Sequence, residues 1–218
     1  MKKAVVLLSG GLDSSTTLFL AKDQGYKCLC LIFDYGQRHK KEIKSAIKIA
    51  KSAKCDFRLI KINLPWGGSS LLDRKLKVPQ YRNRKTIPST YVPGRNLIFL
   101  SFALSFAEAQ KARTIFIGAN QIDYSGYPDC RGEFYQALKK VIEKGTKTGV
   151  QGKPAKILTP LIDKNKSEII RLGRKLGVPY ELTWSCYSGA KTPCGKCDSC
   201  RLRAKGFKEA RTRDPIYG

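Results

Sequence analysis

The residues with the clearest potential for chemistry lie near the amino terminus, in the segment SGGLDSS at positions 9–15. An apolar run precedes the segment and an amphipathic stretch follows it, which predicts a strand, a glycine-rich turn and a helix. Glycines let the backbone approach a ligand, Ser14 and Ser15 are favoured helix-capping residues, and a helix start offers free N–H groups. We therefore predict a polyphosphate site. The lysine of the Walker loop is absent and no G-x-G occurs, so neither of those motifs fits.

A second cluster consists of four cysteines near the carboxyl terminus, spaced C-x7-C-x2-C-x2-C: Cys186, Cys194, Cys197 and Cys200. The short gaps, among turn-forming glycines and a proline, let successive thiolates reach one ion. Four thiolates predict a closed tetrahedral Zn²⁺ site with a structural role, because no position is left for water. An iron–sulfur cluster is the alternative, since C-x2-C-x2-C also binds such clusters.

The elements that position these residues alternate between strand and helix. Apolar runs predict strands at 4–8, 27–33, 57–62, 114–118 and 156–161. Helical patterns follow the first strand and recur at 40–53, 95–112, 132–145 and 165–176, the last with Asn165 as its cap. This order predicts an α/β fold with a doubly wound, parallel five-stranded sheet, whose ligands gather at the carboxyl ends of the strands. Residues 65–93 lack a regular period and are predicted to be a long loop, either a lid or a disordered segment.

Composition sets the remaining bounds. The 218 residues suit one domain, 1–183, with a small module at 184–218 that holds the cysteines and a basic helix. The net charge of +25 leaves a nucleic-acid partner open. A polyphosphate ligand would also be attracted by a positive field, and we do not expect a nucleic-acid partner. No apolar segment is long enough to cross a bilayer, and the amino terminus does not read as a signal peptide. We expect a cytoplasmic enzyme and, by base rate, a homodimer.

The SGGLDSS segment resembles the PP-loop of ATP-dependent adenylating enzymes, whose pattern is S-G-G-x-D-S. The resemblance implies cleavage of ATP between the α and β phosphates, transfer of AMP to a substrate oxygen and release of pyrophosphate. Asp13 beside phosphates would be repelled unless it binds Mg²⁺ or caps the helix, and we favour the Mg²⁺ role. The segment expected to bind ATP comprises Leu8, Ser9, Gly10, Gly11, Leu12, Asp13, Ser14, Ser15, Thr16, Thr17 and Leu18.

Four further features narrow the substrate: DYGQRHKKE at 34–42, YVPGRN at 91–96, GANQIDYSGYPDCR at 118–131, and the cysteine cluster. Together they resemble the 7-cyano-7-deazaguanine synthase family of queuosine and archaeosine biosynthesis. The resemblance implies that ATP adenylates the carboxylate of 7-carboxy-7-deazaguanine and that ammonia displaces AMP to give the amide. A second ATP then activates the amide oxygen for loss, which leaves the nitrile.

Two residues are candidates for catalysis beside Asp13. Arg95 is predicted at a helix start after a Pro-Gly turn, and its guanidinium suits a bidentate phosphate clamp; a helix-surface arginine is the alternative. His39 is the only histidine, so it is a candidate proton shuttle for ammonia or for dehydration. It can equally be a helix-start residue that binds phosphate or nothing.

The substrate is expected to meet the loop after the fourth strand. Asp123 and Asp129 can accept the ring N–H and amino protons of a guanine-like edge, or simply stabilise a turn. Tyr124 and Tyr127 can stack on the bicyclic base, or shield a core. Arg131 closes the motif and completes the expected substrate-binding set.

Two other functions remain open. A PP-loop enzyme that adenylates a tRNA base, such as a thiolase, would fit the charge and the cysteines. A thiolase would need a persulfide-carrying or cluster-binding cysteine close to the PP-loop. A nucleic-acid adaptor would use the cysteine module and the basic tail, but it would leave SGGLDSS without a purpose.

Overall fold

The structure, a computed structural model, describes residues 1–38, 40–73, 75–79, 87–122 and 126–217. Its centre is a sheet of five parallel strands in the order β3-β2-β1-β4-β5. The strands are β1 (Lys3–Leu7), β2 (Lys27–Asp34), β3 (Asp56–Lys61), β4 (Thr114–Ile117) and β5 (Lys156–Leu158). The predicted parallel five-stranded sheet is confirmed.

Helices cover both faces of this sheet. They are α1 (Leu12–Asp23), α2 (Lys41–Ser52), α3 (Arg95–Ala109), α4 (Gly132–Gly145), α5 (Lys147–Val150), α6 (Lys166–Lys175) and α7 (Asp198–Glu209). The side chains of β1 alternate between two cores, as the strand period of two requires. Val5 and Leu7 pack in the core with α3 and α4, whereas Ala4 and Val6 pack in the core with α1 and α2. The sheet is therefore doubly wound.

Two predicted elements end earlier than expected. The fifth strand stops at Leu158 because Pro160 has no backbone N–H to donate to a neighbouring strand. Helix α3 stops at Ala109, and Lys111 adopts a left-handed conformation with φ of 55°, which ends the helical path. Residues 65–93 contain no helix or strand in their described part, although Leu71 and Val92 are buried in the core.

The start of α6 is set by a capping box. The Asn165 side chain accepts from the Glu168 amide at 3.0 Å, and the Glu168 carboxylate accepts from the Asn165 amide at 2.7 Å. This confirms Asn165 as the predicted cap. It also makes Lys166 the first residue of the helix.

Helix α7 packs against α6. A side chain at Gly206 would lie 2.4 Å from Cγ of Lys166, so the two helices approach closely at that point. On the same helix, Arg203 is only 2% exposed and donates to both carboxylate oxygens of Asp214, at 2.6 and 2.8 Å. Another of its nitrogens donates to Thr183 at 2.7 Å. These contacts join the last part of the chain to the rest of the fold.

Candidate active site

The principal cavity of the described structure has a volume of about 230 Å³ and lies at the carboxyl ends of β1, β2 and β4. Its walls include Leu7 at the end of β1, Phe33 near the end of β2 and Gly118 after β4. The strand order reverses at this point, because β2 and β3 lie on one side of β1 while β4 and β5 lie on the other. Ligands of open α/β sheets bind at such positions.

The first turn of α1 forms one wall of the cavity. Gly11 is the N-cap, so the helix begins at Leu12, and its first amides have no partner within the helix. Ser14 and Ser15, which we expected to cap the helix, lie inside its first turn. Ser15 donates to the Gly11 carbonyl at 2.7 Å, and the Ser14 and Ser9 hydroxyl oxygens are 3.0 Å apart. The capping prediction is wrong because the helix starts directly after the glycine pair.

The segment expected to bind ATP divides into two groups. The cavity is lined by Leu8, Ser9, Gly11, Leu12, Asp13 and Ser14. The residues buried behind this wall are Gly10, Ser15, Thr16, Thr17 and Leu18. The second group packs beneath the turn and supports it.

Gly10 is required by its contact with α2. Its φ is +84°, and an added Cβ would lie 2.4 Å from the Glu42 carbonyl oxygen and 2.6 Å from the Ala46 amide nitrogen. Both are backbone atoms, which cannot rotate away as a side chain can. The glycine turn at 9–11 is therefore packed directly against the first turn of α2.

We expect Gly10→Ala to lower the free energy of unfolding by about 3–4 kcal/mol, the combined cost of left-handed strain and overpacking. Gly25→Ala is the matched control, because Gly25 also has a positive φ, +80°, but nothing lies within 4 Å of an added Cβ. It should cost only about 1 kcal/mol of backbone strain. Urea denaturation of the two variants measures the difference, and equal losses would contradict the close contact with α2.

Asp13 forms a bidentate ion pair with Lys166. The lysine nitrogen lies 2.7 and 2.8 Å from the two carboxylate oxygens, and the side chains are 7% and 17% exposed, Lys166 being the more buried. Both residues line the cavity. In this structure Asp13 therefore neither caps α1 nor presents a free carboxylate.

Arg95 begins α3 and lines the opposite side of the cavity. One of its terminal nitrogens lies 3.5 Å from the Tyr35 hydroxyl, and its guanidinium is 5.9 Å from the ring centres of Tyr35 and Phe99. Its Nε is buried and has no hydrogen-bond partner among the described residues. This arrangement excludes the helix-surface alternative and leaves a donor for an anionic ligand.

Glu42 lies close to this group, in the first turn of α2. Its carboxylate accepts a hydrogen bond of 3.0 Å from Gln37, whose side-chain oxygen in turn accepts from the Tyr35 amide. Burial raises the pKa of the Glu42 carboxyl to about 7, although Arg95 and the hydrogen bond from Gln37 act in the opposite direction. Glu42 also lines the cavity.

The predicted substrate-binding residues that the structure describes lie in different environments, and only some of them line the cavity. Tyr127 lines the cavity, and its hydroxyl is 2.7 Å from that of Thr90. Asp129 is buried and accepts from the Asn96 amide at 3.2 Å, which satisfies a free N–H at the start of α3. Arg131 is exposed at the N-cap of α4. His39, Asp123 and Tyr124 lie outside the described residues.

The four cysteines of the predicted metal site converge. Their sulfur atoms all lie within 4.8 Å of one another. Backbone amides of Ser188 and Cys194 donate to the Cys186 sulfur at 3.4 and 3.3 Å, which stabilises thiolate charge. The cluster can therefore bind a metal ion.

Trp184 connects the cysteine segment to the glycine turn at 9–11. The Trp184 amide donates to the Gly10 carbonyl at 2.9 Å, and its indole donates to the Cys186 carbonyl at 2.9 Å. The Lys41 ammonium lies 4.4 Å from the Trp184 ring and donates to the Ala190 carbonyl. Hydrogen bonds of Trp184 thus link the four-cysteine cluster to the turn that lines the cavity.

The comparison with known sequences decides the family. Residues 3–211 match the family described as Queuosine biosynthesis protein QueC. The chain belongs to the QueC family. It is 54% identical over 221 residues to the 7-cyano-7-deazaguanine synthase of Thermosynechococcus vestitus, an alignment that covers 99% of this chain and 95% of that protein. It is also 54% identical to the synthase of Clostridium kluyveri, over 99% of this chain and 97% of the relative.

Solved structures share the fold of this QueC-family chain. A 4-thiouridine synthetase in complex with RNA and ATP superposes with a TM-score of 0.53 at 21% identity, covering 96% of this chain and 50% of that one. NMN synthetase from Francisella tularensis gives a TM-score of 0.50 at 15% identity, covering 97% and 78%. At these identities the likeness concerns the fold alone. In the described part of the chain, every helix is too short or too polar to cross a membrane.

The thiolase alternative is not favoured for this QueC-family chain. Cys130 lines the cavity, as a sulfur carrier would have to do. Burial, followed by the charge of Asp129, raises the pKa of the Cys130 thiol to about 12. The thiol is therefore protonated at neutral pH and a poor nucleophile.

Sequence reasoning missed two residues of the QueC-family cavity, Lys166 and Glu42. Lys166 had a usable signal: a lysine at the first position of a helix opposes the helix dipole unless a carboxylate compensates it. Glu42 had no such signal, because its distinguishing feature is its position in the cavity beside Arg95, and that position is a property of the folded chain.

Proposed function

We propose that this chain is an ATP-dependent ligase that converts 7-carboxy-7-deazaguanine and ammonia to 7-cyano-7-deazaguanine, with release of AMP and pyrophosphate, in queuosine or archaeosine biosynthesis. The QueC family match and the names of its relatives support the reaction. The structural observation that carries it is one cavity that joins the start of α1 to Arg95, whose buried Nε lacks a partner among the described residues. Phosphate and a second reactant can therefore meet in one cavity.

ATP is proposed to bind along residues 8–18. The amides at the start of α1 suit the pyrophosphate portion, because a helix amino terminus favours negative charge. Arg95 approaches from the opposite wall as the proposed clamp on the reacting phosphate. These groups stabilise charge that develops as AMP transfers.

Mg²⁺ is proposed to bind beside Asp13, the phosphate oxygens and water, which are ligands that this ion prefers. When bound, Mg²⁺ supplies charge neutralisation for the phosphates. Asp13 fits as an oxygen ligand, but it is paired with Lys166 in the structure. We infer that Lys166 exchanges part of this pair for phosphate when ATP binds.

Substrate recognition is proposed to involve Tyr127, whose ring reaches the cavity, together with Asp123, Tyr124 and Arg131. Asp129 is better assigned to holding the start of α3, and through it Arg95, because its carboxylate is already bonded to the Asn96 amide. His39 stays a candidate proton shuttle on sequence grounds.

The cysteine cluster is proposed to hold structural Zn²⁺ in a module of residues 184–218 attached to an adenylating domain of residues 1–183. Four sulfurs at about 2.3 Å from one ion lie about 3.8 Å apart, which agrees with sulfurs within 4.8 Å of one another. An iron–sulfur cluster, with iron and sulfide between the thiolates, would need a wider spacing. We also propose a cytoplasmic homodimer without a nucleic-acid partner.

The reaction is tested by incubating the protein with ATP, Mg²⁺, ammonium and 7-carboxy-7-deazaguanine labelled with ¹⁸O in its carboxylate. We expect the nitrile and AMP, with the label transferred to the AMP phosphate, because both carboxylate oxygens leave on AMP. Mass spectrometry measures both products. Release of ADP, label in free phosphate, or turnover only with tRNA would contradict the proposal.

A further inference from the structure

The cavity contains a carboxylate that the proposed roles leave unused. Among the described residues that line it, the carboxylates are Asp13 and Glu42. Asp13 is paired with Lys166, whereas Glu42 accepts one hydrogen bond from Gln37. Glu42 faces the same space as Arg95, the proposed phosphate clamp.

The proposed reaction has a proton to remove at its second step. When ammonia attacks the acyl-adenylate, the nitrogen lone pair forms the C–N bond and the C–O bond to AMP breaks, with its electrons leaving on AMP. The nitrogen then carries a positive charge and must lose one proton to become the amide. A carboxylate positioned in the cavity can accept this proton as the C–N bond forms, which speeds the step.

We propose that Glu42 is the residue that accepts this proton from ammonia, an assignment that rests on the proposed function. The proton moves from the nitrogen to a Glu42 carboxylate oxygen and passes to solvent after AMP leaves. Gln37 holds the carboxylate in place through its 3.0 Å hydrogen bond. The same carboxylate is available when the activated amide loses its remaining N–H protons.

The surroundings of Glu42 suit an acceptor that works near neutral pH. Burial raises its pKa to about 7, so the carboxylate is populated above that pH and binds a proton readily during the reaction. The groups that face it are Arg95 from α3 and Tyr35 after β2. Burial raises the pKa of Tyr35 to about 12, so Tyr35 stays neutral. The ammonium of the neighbouring Lys41 on α2 donates to the Ala190 carbonyl and not to the Glu42 carboxylate.

The alternatives in the described cavity are weaker. The Cys130 thiol and the Tyr35 hydroxyl are both protonated at neutral pH, since burial raises each pKa to about 12. Neither can accept a proton without first losing its own. His39, a candidate from the sequence, is the rival that an experiment has to separate from Glu42.

The experiment compares Glu42→Gln with Glu133→Gln, an exposed glutamate in the first turn of α4. Adenylation is measured by the exchange of labelled pyrophosphate into ATP in the presence of 7-carboxy-7-deazaguanine. This assay needs no ammonia. Amide formation is followed with ammonium and, separately, with hydroxylamine, a stronger nucleophile that is largely unprotonated at neutral pH. We expect Glu42→Gln to retain exchange and hydroxamate formation but to lose about 10²–10⁴-fold in the ammonia-dependent rate. Glu133→Gln should match wild type.

The pH profile provides a second readout. Total ammonium is adjusted at each pH so that the concentration of free NH3 stays constant. Under that condition the wild-type rate of amide formation should rise with pH through about 7 as Glu42 loses its proton. Glu42→Gln should lack this rise, and Glu42→Asp should restore part of it because a carboxylate is present again. His39→Gln should retain the rise.

Several results would overturn the assignment. The first is an ammonia-dependent rate in Glu42→Gln equal to that of the wild-type protein. The second is an equal loss of pyrophosphate exchange and amide formation in Glu42→Gln. The third is a loss of the pH rise in His39→Gln but not in Glu42→Gln. Failure of the proposed function looks different, because the wild-type protein would then show no exchange with 7-carboxy-7-deazaguanine. Melting temperatures of the variants report folding, which should be kept because glutamine can still accept from Gln37.

Discussion

Asp13→Asn is expected to reduce AMP formation by about 10²–10³-fold, the loss typical when one group that stabilises the transition state is removed. The variant loses the carboxylate proposed to bind Mg²⁺. It also loses the charge that holds the Lys166 ammonium at 2.7 Å, beside the start of α1. The rate is measured by chromatographic detection of AMP at saturating ATP.

Asp13→Ala should differ from Asp13→Asn in stability. Lys166 is only 7% exposed, and alanine would leave its ammonium buried without the partner described here. Breaking a buried pair from one side costs about 3–5 kcal/mol, whereas asparagine keeps an oxygen that accepts a hydrogen bond. Asp23→Asn, an exposed aspartate at the other end of α1, is the control and should keep both rate and stability. Normal AMP formation by Asp13→Asn would refute the proposed role.

Cys197→Ser should lower the free energy of unfolding by more than about 3 kcal/mol, because structural zinc contributes about 10–16 kcal/mol in zinc-finger peptides. AMP formation should fall as a consequence, since Trp184 connects the Cys186 carbonyl to the Gly10 carbonyl. Thermal melting and metal analysis of the purified protein measure both effects. A strong chelator should reproduce them in the wild-type chain.

Cys55→Ser is the control for the metal site, because Cys55 is half-buried and lies outside the four-cysteine cluster. It should retain the zinc content of the wild-type protein. Unchanged melting and zinc content in Cys197→Ser would contradict the structural role. If the purified wild-type protein contains stoichiometric iron, the cluster binds an iron–sulfur centre and the zinc assignment is wrong.

The sequence by itself determined the features that depend on local pattern. Apolar runs located all five strands, and the cap at Asn165 located α6, because periodicity and capping are decided by neighbouring residues. The turn at 9–15 and the cysteine spacing predicted the two candidate sites for the same reason. Three further motifs then indicated the family, at 34–42, 91–96 and 118–131. The QueC match confirms that family.

Only the tertiary structure decided how the charged residues are used. Asp13 and Lys166 are separated by 153 positions, and their pairing follows from the packing of α6 beside α1. Asp129 became a partner of the Asn96 amide, and Glu42 became a half-buried acid beside Arg95 whose pKa is raised to about 7 by desolvation. Pairing and desolvation depend on which groups surround a side chain in space, and the order of residues along the chain does not contain that information.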